Sequence, residues 1–328
     1  MDRSLNIAMI GCGSLMYQFI YDCMKNIPAR LTAVSHTDEN ELQKFTDRYY
    51  VPQIYHDYKK LLQLEKVDAV ICFPSDTHTH YSIARDCLLS GVHVFMERPP
   101  CLSVEQAHDL LELQRLTGKY VMTRFNKRFT TSYVMAREII RRDEFGPITM
   151  FMSKFQGAEC ASEQSFLFNH VSHHIDLARY LLGEIKSLHV EKIKLSDQLL
   201  GFNISFVAAS GAIGVIQSGS LQKIEYPMER VEITGVGRNV IIDNIRGLEY
   251  NRPAPKRDGF EVAPLTEGGD TLVWNPNHGN LTNYTYYGFE AQLHHFIDRI
   301  LQRLAPEPNM QDSIHTIELL ESIQSLSS

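Results

Sequence analysis

Over the first 120 residues, short apolar runs alternate with helical segments, and this alternation restricts the fold more than any other feature of the chain. The runs are "LNIAMIG" near the start, "LTAVS" (31–35), "DAVICF" (68–73), "HVFME" (93–97) and "YVMTRF" (120–125). Between them lie "DENELQKFTDRYY", "HTHYSIARDCLLSG" and "SVEQAHDLLELQRLTG". The last two end in glycine, which stops a helix because it adopts a left-handed cap without a Cβ penalty. Strands separated by helices of this length predict a parallel, doubly wound sheet. The character changes after about residue 122. A helix, "SYVMAREIIRRDEFG", leads to "ITMFMSKF", "SLHVEKIKL", "FNISFVAA", "AIGVIQSGSL", "RVEITGV" and "NVIIDN" in close succession. Short turns between such runs predict a largely antiparallel sheet. Residues 251–285, rich in Pro, Gly and Asn, read as a long loop, and helices at about 286–303 and 311–326 close the chain. The expected organisation is two domains, residues 1–122 and 123–328, which suits a chain of 328 residues.

A formal charge of −7 argues against a nucleic-acid surface, which needs clustered basic residues. "RR" at 141–142 is the densest basic spot and reads as a solvated helix end. No apolar run reaches the roughly 18 residues that a membrane span needs. The N-terminal "MDRSLNIAMIG" enters a strand without the layout of a signal peptide. Cys12, Cys23, Cys72, Cys87, Cys101 and Cys160 show neither a CxxC pair nor a disulfide spacing. The expectation is a cytoplasmic protein with reduced thiols, bound to neither membrane nor nucleic acid.

"IGCGSLM" (10–16) places G-x-G between a strand and a helix. Gly11 permits the tight turn, and Gly13 lets the backbone, with Ser14, approach a pyrophosphate at the helix N-terminus. Met16 stands where the third small residue of the fingerprint belongs. The second strand ends "VSHTD", so Ser35, His36 and Thr37 occupy the place where an acid would accept the ribose hydroxyls of NAD. Asp38 is two residues further on and is equally suited to cap the next helix. The Ser-His-Thr triplet offers hydrogen-bond donors, so the reading favours NADP(H) over NAD(H).

The stretch "FPSDTHTHYSIARDCLLSGVHVFMERPPCLSVEQAHDL" resembles the Gfo/Idh/MocA oxidoreductases, the glucose–fructose oxidoreductase and inositol dehydrogenase family. The resemblance continues through "FNKRF" (125–129), "GPI" (146–148), "HHIDLARYLLGE", "YPMERVEITG" and "HHFIDRI", and so covers nearly the whole chain. It implies an N-terminal Rossmann domain and a C-terminal α/β domain with an open sheet. It also implies reversible hydride transfer between a nicotinamide and a hydroxyl of a sugar or cyclitol, in a homodimer or homotetramer built on the open sheet. Pro74, His78, Glu97 and Arg98 then belong to the cofactor site. Arg98 replaces the lysine of the family's E-K-P segment. Arginine keeps the charge but is a poor proton donor, so Arg98 is expected to stabilise charge.

"NHVSHHID" (169–176) holds three histidines within five positions. In the family this segment reads D-x-G-x-H-x-x-D, which matches His173 to the catalytic histidine and puts Asn169 in place of an aspartate. A helix beginning near 169 gathers Asn169, His173 and Asp176 on one side, with Val171, Ile175, Ala178 and Leu182 opposite as the core stripe. His170 and His174 form a second pair one turn apart. They lack a third ligand for zinc, so no metal site is expected. Imidazole titrates near neutrality, which suits His173 to take an alcohol proton as hydride leaves. Asn126, Arg128 and Tyr286, with Arg124 and Tyr287, are further candidates to contact substrate hydroxyls or anionic groups. The changes at Met16, His36, Arg98 and Asn169 keep open two alternatives: a non-catalytic relative that binds a nucleotide or sugar, and reduction of an imine or conjugated ring.

Overall fold

The computed structural model describes residues 4–13, 21–24, 27–222, 227–254, 269–276 and 283–326. The chain forms two compact units, Met1–Asn126 with Asn283–Leu319, and Lys127–Thr282 with Leu320–Ser328. Asn283–Leu319, assigned to the C-terminal domain from sequence, thus returns to the first unit. The helix Phe289–Leu301 buries Phe289, Leu293, Phe296 and Ile297, and the Phe296 ring lies 5.6 Å from that of Phe95. An apolar helix face pairs with whichever sheet covers it, and linear order does not fix the choice.

In the first unit, six parallel strands are β1 (Leu5–Ile10), β2 (Ala29–Ser35), β3 (Gln53–Tyr55), β4 (Ala69–Cys72), β5 (His93–Met96) and β6 (Val121–Thr123). Their order is β3-β2-β1-β4-β5-β6. Every residue of β4 and β5 is buried, as expected of parallel strands covered on both faces. Strand β3 has three residues, too few for a period-two pattern to reveal it. The helix Val104–Thr117 starts at Ser103, whose Oγ accepts the Gln106 N–H (3.2 Å), and stops at the left-handed Gly118. Strand order reverses between β1 and β4, so the crevice above their C-terminal ends is where this architecture binds ligands.

The second unit holds eight strands: β7 (Met150–Gln156), β8 (Ile185–Lys194), β9 (Leu200–Ala208), β10 (Ile213–Gly219), β11 (Met228–Thr234), β12 (Asn239–Asp243), β13 (Gly247–Pro253) and β14 (Gly269–Trp274). They run in the order β14-β13-β12-β11-β7-β10-β9-β8. All pairings are antiparallel except β7 with β10, which agrees with a largely antiparallel sheet. The inner face carries Phe151, Phe155, Phe202, Ile204, Ile216, Val231 and Ile242, all buried. The expected loop 251–285 needs correction, because it contains β14 and the end of β13. Residues 269–274 are mostly exposed and carry no apolar alternation; Arg252–Asp270 and Thr271–Asn251 bonds hold them to β13 instead. The helix expected over 132–146 is α-helical only for Thr131–Ile140 and ends in a 3₁₀ turn at Asp143–Phe145. No helix among the described residues is long and apolar enough to cross a membrane.

Candidate active site

Gly11 follows β1 with φ +82°, and a Cβ there would lie 2.4 Å from the Phe73 carbonyl oxygen at the end of β4. Both the left-handed backbone and the strand contact therefore demand glycine. The Gly11 N–H donates to the Ser35 carbonyl (2.9 Å), which ties the turn to β2. Among the described residues, a Cβ on Gly13 would meet nothing within 4 Å. Ser14 and Met16 lie outside the described residues.

At the end of β2, Ser35 is buried, while His36 is partly exposed and Thr37 exposed. His36 donates its N–H to the Tyr55 carbonyl (3.1 Å), and its Nδ1 accepts the Asp38 N–H (2.9 Å). Asp38 caps the helix Glu39–Arg48 by accepting the Glu41 N–H (3.1 Å), and that bond holds its carboxyl below the ordinary value. Glu39 and Glu41 occupy the first helical turn, where Glu41 pairs with Lys44 (2.8 Å) and Glu39 lies 3.2 Å from His56 Nε2, so Asp38 is the carboxylate nearest His36 in the chain.

His78 is exposed, whereas the buried residue of "HTH" is His80. Nδ1 of His80 lies 2.6 Å from the Pro99 carbonyl oxygen and Nε2 lies 3.3 Å from that of Pro74. One ring thus spans the segments that follow β4 and β5. Sequence reasoning missed His80, although His80, Ile83, Ala84 and Cys87 share the buried face at helical spacing.

Past β5 and β6, charge is concentrated. Glu97 Oε2 accepts from Arg124 Nε (2.7 Å), and Oε1 accepts the Arg98 N–H (2.9 Å). Arg98 Nε lies 4.0 Å from Glu97 Oε1. Burial pushes the Glu97 carboxyl up, but Arg124 and Arg98 outweigh it and the net shift is downward. Burial lowers the Arg98 guanidinium to about 10, with Glu97 opposing and Arg124 assisting, so it stays charged at neutral pH. Arg124 Nη1 donates to Asn126 Oδ1 (3.2 Å), and Asn126 Nδ2 donates to the Tyr287 carbonyl (2.8 Å). The Arg124 guanidinium also lies 5.1 Å from the Phe289 ring centre. Arg124 and Asn126 are therefore engaged within the first unit, and Tyr286 is buried in it.

In the second unit, a continuous helical run carries the histidines: Glu163–Phe166, a π turn at Leu167–Val171, and an α segment from Ser172 to Leu182. The wider π turn displaces Asn169 from the angle that a regular α-helix predicts relative to His173. The single core stripe is also replaced, because every residue from Ser172 to Arg179 is buried. Such a helix is covered on all sides. Asp176 joins Arg128 in a buried bidentate pair, with Nε to Oδ2 at 2.8 Å and Nη2 to Oδ1 at 2.6 Å. Arg128, a candidate for substrate contact, is thus a buried partner of Asp176. His174 Nδ1 lies 2.5 Å from Ser153 Oγ, and His170 stacks on Phe155. His173 is 9% exposed, and Asn169 donates Nδ2 to Ser165 Oγ (3.1 Å). Among the described residues no group of three His, Cys, Asp or Glu could hold a metal ion.

The strand order, the glycine turn and the strand-end residues define a nucleotide-binding Rossmann unit, followed in the chain by an α/β unit with an open sheet. Residues 5–125 match the Gfo/Idh/MocA family, described as an oxidoreductase family with an NAD-binding Rossmann fold. The chain is similar to this family over those residues. It is 25% identical to the myo-inositol 2-dehydrogenase of Thermotoga maritima over 257 residues, 74% of this chain and 76% of that protein. With the scyllo-inositol 2-dehydrogenase (NAD(+)) of Bacillus subtilis it shares 26% identity over 282 residues, 80% of this chain and 81% of that one. The crystal structure of a dehydrogenase from Chromobacterium violaceum has the same fold, with a TM-score of 0.89 at 19% identity over 99% of this chain and 95% of that one.

Proposed function

We propose that the protein is an NAD-dependent dehydrogenase of a neutral sugar or cyclitol, with His173 as the acid/base, Arg98 as a fixed cation and Asn169 as a substrate-positioning amide. The bound nicotinamide supplies hydride acceptance and donation. Gly11, Gly13 and the ends of β2, β4 and β5 would hold the dinucleotide. His173 takes the hydroxyl proton, and the Arg98 guanidinium steadies the developing alkoxide without giving up a proton. Asn169, being an amide, orients a hydroxyl by hydrogen bonding alone.

The NADP preference read from Ser35, His36 and Thr37 gives way to NAD, and the observation that carries this is the acidic start of the helix after β2. A 2′-phosphate carries about −1.5 to −2 charges, which the Asp38 carboxylate next to His36 would repel. The scyllo-inositol relative is itself named for NAD(+). A neutral substrate follows from ion pairing: Arg124, Lys127 and Arg128 are committed to Glu97, Glu229 and Asp176. Fluorescence titration with NAD⁺, NADH, NADP⁺ and NADPH is expected to show at least about tenfold tighter binding of the NAD forms, equivalent to about 1.4 kcal/mol. Turnover on cyclitols and pyranoses should exceed that on sugar phosphates and uronates. No binding of any nicotinamide form at millimolar concentration would sink the reading, and tight binding without turnover on any polyol would favour the non-catalytic alternative.

The protein is also proposed to form a dimer or tetramer. Met150, Ile213 and Val207 are neighbours in register across β7, β10 and β9, and each is 39% or more exposed. A contiguous apolar strip on one sheet face is what a self-association surface requires. Sedimentation equilibrium should return a multiple of the 37.6 kDa chain mass.

A further inference from the structure

We infer that the first unit carries a second ligand site, for a small oxyanion, at the N-terminal ends of its strands, with His93, Lys119 and Arg303 as the binding groups. A cavity of about 270 Å³ lies where β1, β4, β5 and β6 begin, and Leu5 and Ile300 give it apolar walls. His93 opens β5, Lys119 and Tyr120 lead into β6, and Arg303 follows the helix Phe289–Leu301. The crevice of the strand reversal is at the other end of these strands, so a ligand here does not compete with a dinucleotide.

The donors are set by the backbone. The Tyr120 N–H donates to His93 Nδ1 (3.2 Å), so the ring is neutral and carries its proton on Nε2. The ring is buried and stacks on that of Tyr120 with centres 5.6 Å apart, which fixes its orientation. Arg303 has φ +60°, in the left-handed region that glycine fills at lower cost. Its N–H donates to the Ile300 carbonyl (3.0 Å), and the Leu304 N–H donates to that of Arg299 (2.8 Å), which is the bonding of a helix stop. Arginine at a position suited to glycine thus adds a guanidinium to the cavity wall at a backbone cost.

Lys119 and Arg303 bring two positive charges to the wall and Asp68 brings one negative charge. Asp68 Oδ2 accepts the Asn6 N–H (2.8 Å), and among the described residues neither Lys119 nor Arg303 has a carboxylate partner. An ammonium, a forked guanidinium and an imidazole N–H together suit a phosphate or a carboxylate. The remainder of such a molecule would lie against Leu5, Tyr120 and Ile300.

The test is calorimetric titration of the full chain with sodium phosphate and with sodium succinate, at constant ionic strength so that screening is the same throughout. Saturable binding of at least one probe is expected, and the tighter of the two identifies the head group. Arg303→Gly and Lys119→Gln should each weaken it on the order of tenfold, the scale of a charge-assisted hydrogen bond. Asp68→Asn removes the opposing charge but keeps an acceptor for Asn6, and should tighten it. Arg303→Gly also relieves the left-handed backbone, so its unfolding midpoint should not fall, and weaker binding is then not a loss of fold. Phosphate also suits the glycine turn after β1, but binding there would be indifferent to all three substitutions. Unchanged affinity in both Arg303→Gly and Lys119→Gln would overturn the inference, as would the absence of saturable binding of either probe to the natural chain.

Discussion

Replacing Glu229 with leucine is expected to destabilise the second unit by about 3–5 kcal/mol, the usual penalty for stranding one member of a buried ion pair. Glu229 is the acceptor for both the Lys127 ammonium and the Tyr133 hydroxyl (2.5 Å), and all three side chains are buried. His174 Nε2 lies 4.0 Å from the same carboxylate and reaches β7 through Ser153. Leucine fills the volume but leaves Lys127 without its carboxylate and Tyr133 without an acceptor. Combining it with Lys127→Met removes the charge as well, and most of the loss should be recovered because an apolar pair often substitutes for a buried ion pair without net loss. The orphaned Tyr133 hydroxyl would account for a residual of about 1–3 kcal/mol. Urea unfolding followed by circular dichroism measures both variants through the transition midpoint. A single variant as stable as the natural chain would show that this pair contributes nothing.

The same groups set the direction of the acid response. His174 is driven down to about 3 by burial, with Lys127 and His170 assisting against Glu229, and burial lowers His93 of β5 to about 4. Each binds a proton more weakly in the folded chain than in the unfolded one, where imidazole has its ordinary value of 6.5. Their contribution is complete above pH 6.5 and is lost as pH falls towards 4 and 3. Burial raises Glu229, but Lys127 and His174 outweigh it, so its net shift is downward and its contribution too disappears with acid. The melting temperature should therefore decline from about pH 6.5 downwards. The Glu229→Leu variant keeps the His93 part of that decline.

The parallel sheet was legible because its buried strands are continuous apolar runs and its helices end in capping residues. The domain assignment of Asn283–Leu319 was not legible, since an apolar helix face such as that of Phe289, Leu293 and Phe296 does not name its partner. Strand β14 escaped because its stability comes from cross-strand polar pairs such as Arg252–Asp270. In the candidate site, Gly11, Glu97, Arg98 and His173 stood out from residue type and order. The commitments of Arg128 to Asp176 and of Asn126 to Arg124 and Tyr287 did not. Those pairs join residues up to 161 positions apart, and local spacing carries no record of them. The π turn at Leu167–Val171 was invisible for a different reason: one extra residue in a helical turn changes the angular relation of Asn169 to His173 without changing the sequence pattern.

His173→Ala is expected to lower turnover of a neutral polyol substrate by about 100-fold or more, the scale of losing a positioned general base. The affinities for NAD⁺ and NADH should stay near those of the unaltered protein. The contrast with its neighbour separates catalysis from packing. His174, 1% exposed and bonded to Ser153, anchors the helix, so His174→Ala should lower the unfolding midpoint along with activity. His173 is also buried, at 9% exposed, so His173→Ala should lower that midpoint somewhat, and the distinguishing result is a loss of turnover far larger than that fall explains. Asn169 sharpens the test. Its amide cannot exchange a proton, so Asn169→Asp places an ionisable carboxylate on the helical run where the family carries one. If His173 works alone, the aspartate variant changes the KM of the polyol more than its kcat, and the double variant with His173→Ala stays inactive. Activity in the double variant comparable to the natural chain would move the proton-transfer role from His173 to another group. A rate for His173→Ala within a few-fold of the natural chain would remove His173 from the mechanism altogether.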